Sequence, residues 1–143
     1  MIVIDTNVVS EMMRPQQEDK VSTWLDAQQP SDLFLTATSV AEMLFGIERL
    51  PAGVRRNHLA EAYSRLAGHG FAGRVLPLDQ YAAAHAARIA AGREAMGRPM
   101  SMTDAQIAGI CLQHHAKLAT RNTKDFGDCG LTLINPWTAT GRA

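Results

Sequence analysis

The chain reads as an α/β domain with a central, mostly parallel sheet of about five strands flanked by helices. Three observations predict it. Short runs of β-branched and apolar residues recur along the chain, and longer stretches with apolar residues at helical spacing separate them. Such strand–helix alternation is the pattern of a doubly wound sheet. The 143 residues suit one domain over 1–143, with no internal repeat and no linker. Apolar residues make up 46% and charged residues 20%, which excludes a disordered chain.

Ile2–Ile4 is the first strand, ended by Asp5-Thr6-Asn7, a turn or helix-cap signature. Val8–Met13 predicts a short helix that Pro15 stops. Val21, Trp24 and Leu25 share one face of a second helix, opened by Glu18 or Asp19. Leu33–Thr36 is the second strand. Ser39 predicts an N-cap with Glu42 as its capping-box partner, for a helix reaching about Leu50 before Pro51. Residues from about Val54 to Leu66 form an amphipathic helix closed by Gly68 and Gly70. Val75–Leu78 is the third strand, followed by an alanine-rich helix from Gln80 to about Met96 that Gly97-Arg98-Pro99 breaks. Ser101 to Asp104 opens a helix running through Ile107, Ile110 and Cys111 to about His115. Lys117–Thr120 and Leu131–Ile134 are the fourth and fifth strands.

Fourteen basic and fourteen acidic residues cancel, so the chain does not grip nucleic acid by bulk charge. Cys111 lies in an apolar helical pattern and Cys129 in a Gly-flanked turn, with no C-x-x-C; both are expected as reduced thiols of a cytoplasmic protein. Met-Ile-Val-Ile-Asp meets an acid after three apolar residues, unlike a signal peptide. No apolar run approaches the roughly 18 residues of a membrane span, so no membrane association is expected.

In an open parallel sheet, ligands bind beyond the carboxyl ends of the strands. Asp5 follows the first strand, Glu42 and Asp104 each fall in the first turn of a helix, and Asn122 and Asp125 come just after the fourth strand. Singly, each has an ordinary structural use: Asp5 can open a turn, and Glu42 and Asp104 can favour a helix dipole. Together they can share one edge of the sheet. Two carboxylates ~5 Å apart at an effective dielectric of ~20 repel by roughly 3 kcal/mol. A hard divalent cation relieves that repulsion and suits phosphodiester hydrolysis.

The segments Ile2-Val-Ile-Asp-Thr-Asn-Val-Val-Ser-Glu11, Ser39-Val-Ala-Glu-Met-Leu-Phe-Gly46, Met102-Thr-Asp-Ala-Gln-Ile-Ala-Gly109, Leu118-Ala-Thr-Arg-Asn-Thr-Lys-Asp-Phe126 and Ile134-Asn-Pro-Trp137 resemble the PIN-domain ribonucleases. Within them the chain is similar to the VapC-type toxins of toxin–antitoxin pairs, near the FitB subgroup. The likeness spans residues 1–137, and five segments in order are far more specific than one D-T-N. It implies an acidic pocket for Mg²⁺ or Mn²⁺ and RNA cleavage restrained by a cognate antitoxin. It also implies a homodimer, with promoter DNA bound only through the antitoxin. By resemblance, Asp5, Glu42 and Asp104 are the core acids. Asp5 and Asp104 would be direct metal ligands, and Glu42 would bind metal or activate water. Thr6, Asn7 and Thr120 would steady the pocket. The fourth acid departs from the pattern: Asp125 is favoured, with Asn122 as a neutral oxygen donor.

Arg121 and Lys124 are candidates to meet RNA phosphates. Arg93 and Arg98 are expected on a solvated helix face, with an RNA track as the alternative. Trp24, Tyr63 and Trp137 are expected in the core or an interface. Two other readings stand beside the nuclease. A phosphotransferase of the haloacid dehalogenase type also begins with a strand ending in Asp, but needs a second acid where this chain has Asn7. A catalytically inactive PIN-domain partner would act only in an antitoxin–DNA complex.

Overall fold

A computed structural model describes residues 1–140; the last three residues of the expected 1–143 domain lie outside the described residues. The elements run β1 (Ile2–Ile4), α1 (Thr6–Met12), α2 (Asp19–Asp26), β2 (Leu33–Thr36), α3 (Ala37–Glu48), α4 (Val54–Arg65), β3 (Val75–Leu76), α5 (Gln80–Ala95), α6 (Met102–Gln113), β4 (Lys117–Ala119) and β5 (Leu133–Ile134). A 3₁₀ turn (Pro30–Asp32) precedes β2, and a π turn (Leu66–Gly70) follows α4.

The five strands lie in the order β3-β2-β1-β4-β5, and every pairing is parallel. Ile2 pairs with Leu33 on one side and Lys117 on the other, so β1 is the central strand. Its three residues are all buried because both faces of the sheet are covered. The period of two sorts them: Val3 joins Ile107, Ile110 and Leu118 on the α6 side, while Ile2 and Ile4 join Val8, Val9 and Trp24 on the other. The strand order reverses between β1 and β4, so the carboxyl ends of these two strands flank the switch point where α/β sheets bind ligands.

Several boundaries move. Helix α1 begins at Thr6 rather than Val8, because Asp5 caps it. The expected third strand stops at Leu76, before Pro77; the fourth stops at Ala119; and the fifth is paired only over Leu133–Ile134. The N-cap of α3 is Thr36, not Ser39: the Thr36 hydroxyl oxygen accepts the Ser39 N–H at 3.0 Å, and Ser39 sits inside the first turn. The expected capping box therefore does not form. Ser101 does cap α6, its hydroxyl oxygen accepting the Asp104 N–H at 3.1 Å.

Both cysteines are buried and free. Among the described residues no helix is long and apolar enough to cross a membrane.

Candidate functional site

Asp5 is the hub of the site. It ends β1, its backbone N–H donating to the Ala119 carbonyl at 2.9 Å, and is 4% exposed. Its Oδ1 accepts the Thr6 N–H at 2.8 Å. Its Oδ2 accepts the Thr120 hydroxyl at 2.7 Å and the Asn7 side-chain amide at 3.2 Å. Asn7 extends the network: Nδ2 also donates to Thr120 Oγ1 at 3.3 Å, and Oδ1 accepts the Arg121 N–H at 3.2 Å. Thr120 Oγ1 in turn accepts the Asn122 N–H at 3.0 Å. The ends of β1 and β4 are thus stitched together across the switch point. Burial pushes the Asp5 carboxyl above its ordinary range; bonds from Thr120, Thr6 and Asn7 pull it down, and the charge of Glu42 pushes it up.

Glu42 reaches the hub through Thr6, whose hydroxyl donates to Glu42 Oε1 at 2.7 Å. The Thr36 cap places Glu42 in the second turn of α3, so it does not serve the helix start. Asp104, in the first turn of α6, is half-buried. Burial raises its carboxyl above the ordinary range, the charges of Asp5 and Asp125 raise it further, and the Ser101 bond lowers it. Asp125, Asp104, Ser101, Met100, Pro99 and Arg93 line one cavity of about 220 Å³. Asn122 is exposed, and among the described residues its side chain makes no hydrogen bond.

The acids form a chain, Glu42–Asp5–Asp104–Asp125, in which each neighbour's charge is felt. Among the described residues no three His, Cys, Asp or Glu side chains make one group able to hold an ion. Mg²⁺ needs less: one or two carboxylates, with water completing its shell. Asp5 and Asp104 supply hard oxygen donors whose mutual repulsion a cation would relieve, so the donor set fits such an ion.

Arg121 and Lys124 are exposed, and the Arg121 guanidinium lies 4.8 Å from the centre of the Trp137 ring. Arg93 overturns its expectation: it is 5% exposed and bonded to backbone carbonyls rather than solvated. The sequence carries the signal, since Arg93 continues the buried stripe of Ala82, Ala86 and Ile89 on α5. Glu11 was also missed; this buried carboxylate accepts the Glu18 N–H at 2.8 Å and pairs with Arg14.

The PIN domain family matches residues 2–129. The chain belongs to the PIN-domain family. This PIN domain is 40% identical to VapC ribonuclease Y4jK of Sinorhizobium fredii, over 96% of this chain and 98% of that protein. It is 38% identical to toxin FitB of Neisseria gonorrhoeae, over 96% and 99%. A solved structure of FitAB bound to a DNA fragment superposes with a TM-score of 0.86 at 37% identity, covering 98% of both chains. These relatives place this PIN domain in the VapC and FitB branch.

Proposed function

We propose that this PIN domain is an endoribonuclease toxin that uses Mg²⁺ or Mn²⁺ to hydrolyse RNA phosphodiesters. The observation that carries the reading is the buried Asp5 carboxylate at the end of β1, which feels the charge of Glu42 and whose own charge acts on Asp104, acids from separate stretches of chain. The kinship with a protein named VapC ribonuclease supports it. A bound divalent ion would polarise the phosphate and lower the pKa of an attacking water.

The chain's own residues divide the remaining work. Asp5 and Asp104 would hold the ion. Thr120, Thr6 and Asn7 fix the Asp5 carboxylate in one orientation through their hydrogen bonds. Glu42, exposed to solvent, accepts a proton from water, and Thr6 orients it. Asp125 completes the pocket in preference to Asn122. Arg121, its guanidinium over the Trp137 ring, and Lys124 meet flanking phosphates.

By kinship with toxin FitB, we extend the proposal to the chain's partners. Residues 1–143 act as one domain in a cytoplasmic homodimer, silenced by a cognate antitoxin through which alone it meets promoter DNA. The relative FitAB was solved with a DNA fragment bound.

The test is cleavage of a defined RNA by purified protein freed of antitoxin, with Mn²⁺ or EDTA. Wild type should cut only with the ion, leaving 5′-phosphate and 3′-hydroxyl ends. Asp5→Asn should lower the rate by at least about 100-fold, at the upper end of what even an outer-shell change costs a metal site. Its circular dichroism should match wild type. Cleavage that survives in EDTA, or products ending in a 2′,3′-cyclic phosphate, would refute the mechanism.

A further inference from the structure

Asp125 rides on the least regular stretch of the fold. Residues 121–132 contain no helix or strand, and Asp128 and Gly130 have positive φ of 60° and 76°. Phe126 anchors the stretch to the core on one side of Asp125. Arg93 holds the carbonyls on either side of Phe126. From the last turn of α5, its Nη1 donates to the Asp125 carbonyl at 2.9 Å and the Gly127 carbonyl at 2.8 Å. Its Nε donates to the Arg98 carbonyl at 2.8 Å, while the Arg98 N–H donates back to the Arg93 carbonyl at 2.9 Å. One side chain thus ties the turn after α5 to the loop after β4.

The choice of residue is informative. Arg93 is buried yet has no ion-pair partner; the ion pairs among the described residues are Glu11–Arg14, Glu48–Arg56 and Arg98–Asp128. An apolar side chain of similar length would fill the site without the desolvation cost of a charge. Only a guanidinium offers several fixed donors to carbonyls from separate segments at once. Arg93 also lines the cavity it shares with Asp104 and Asp125.

We propose that Arg93 is a positioning residue of the acidic pocket. By holding the Asp125 and Gly127 carbonyls, it fixes the Asp125 side chain across the cavity from Asp104. The inference rests on the metal-dependent reading above and deepens it.

A double-mutant cycle read by Mn²⁺ titration calorimetry tests it. The full-length proteins are wild type, Arg93→Met, Asp125→Asn and the double variant, with Arg93→Lys in both backgrounds in case methionine prevents folding. Thermal melts confirm that each is folded at the titration temperature. Outer-shell partners of a metal site typically contribute about 10–100-fold in affinity. Arg93→Met should therefore weaken Mn²⁺ binding about 10-fold in the wild-type background, with Arg93→Lys falling between. In the Asp125→Asn background either change should shift affinity less than about 2-fold, because the carboxylate being positioned is gone. Equal losses in the two backgrounds, or no loss in either, would overturn the assignment while leaving the metal reading in place. A wild-type protein that binds no Mn²⁺ would overturn both.

Discussion

Asp104 shows how a single side chain carries the site's cost. Burial and the charges of Asp5 and Asp125 hold its carboxyl above the ordinary value near 4. An acid raised in the folded state binds its proton more tightly there than in the unfolded chain. Its ionisation therefore subtracts stability as pH rises above the ordinary carboxylate value, a penalty absent in acid. Asp104→Asn should melt above wild type at pH 7 in EDTA, and the gap should close as the buffer approaches pH 4. Coincident melts at pH 7 would contradict the sign. Glu11 has the opposite sign: the Glu18 N–H and Arg14 hold it below its ordinary value, so its contribution is present at neutral pH and lost in acid. A place just beyond a strand end made Asp5 legible in the sequence, while Thr6, Asn7 and Thr120 were pointed to by the family resemblance. The buried stripe of α5 points to Arg93, but its carbonyl partners show only once the loop after β4 is placed; Thr36 stayed hidden because a threonine closing a strand looks ordinary.

The packing of α5 on α6 makes the sharpest demand on an element. A Cβ added at Gly109 would lie 2.4 Å from the Ala82 carbonyl oxygen and 2.8 Å from the Ala86 nitrogen. Those are backbone atoms, so relief requires the helices to part. Alanine gains about 1 kcal/mol in helix propensity over glycine. Overpacking costs about 1–3 kcal/mol or more, and a backbone clash of this depth belongs at the upper end. Gly109→Ala should lower the stability measured by urea unfolding; an unchanged midpoint would mean the helices are not this close. The helices were legible nearly to the residue where a cap or breaker stood at the end, as with Ser101 and Gly97-Arg98-Pro99. The short edge strands β3 and β5 were read two residues too long, because apolar character persists past the point where a neighbour supplies hydrogen bonds. Glu42 was assigned to a first turn because Ser39 mimics a cap whose work Thr36 does.

Across the whole molecule, the parallel order β3-β2-β1-β4-β5 followed from strand–helix alternation in kind, while the order itself depends on long-range pairing that no local pattern encodes. If the acidic edge takes up a divalent ion only when folded, that ion must stabilise the entire domain. At 100 times its dissociation constant the gain is about 2.7 kcal/mol. Mn²⁺ should accordingly raise the melting temperature of wild type by several degrees and leave Asp5→Asn unmoved; an equal rise in both would mean the ion binds elsewhere. The stitch between Asp5 and Thr120 spans 115 positions of chain. Translation delivers the first of these residues long before the second, and β4 must emerge before the central strand gains its other neighbour. No incomplete nascent chain ending short of Thr120 can therefore close this stitch.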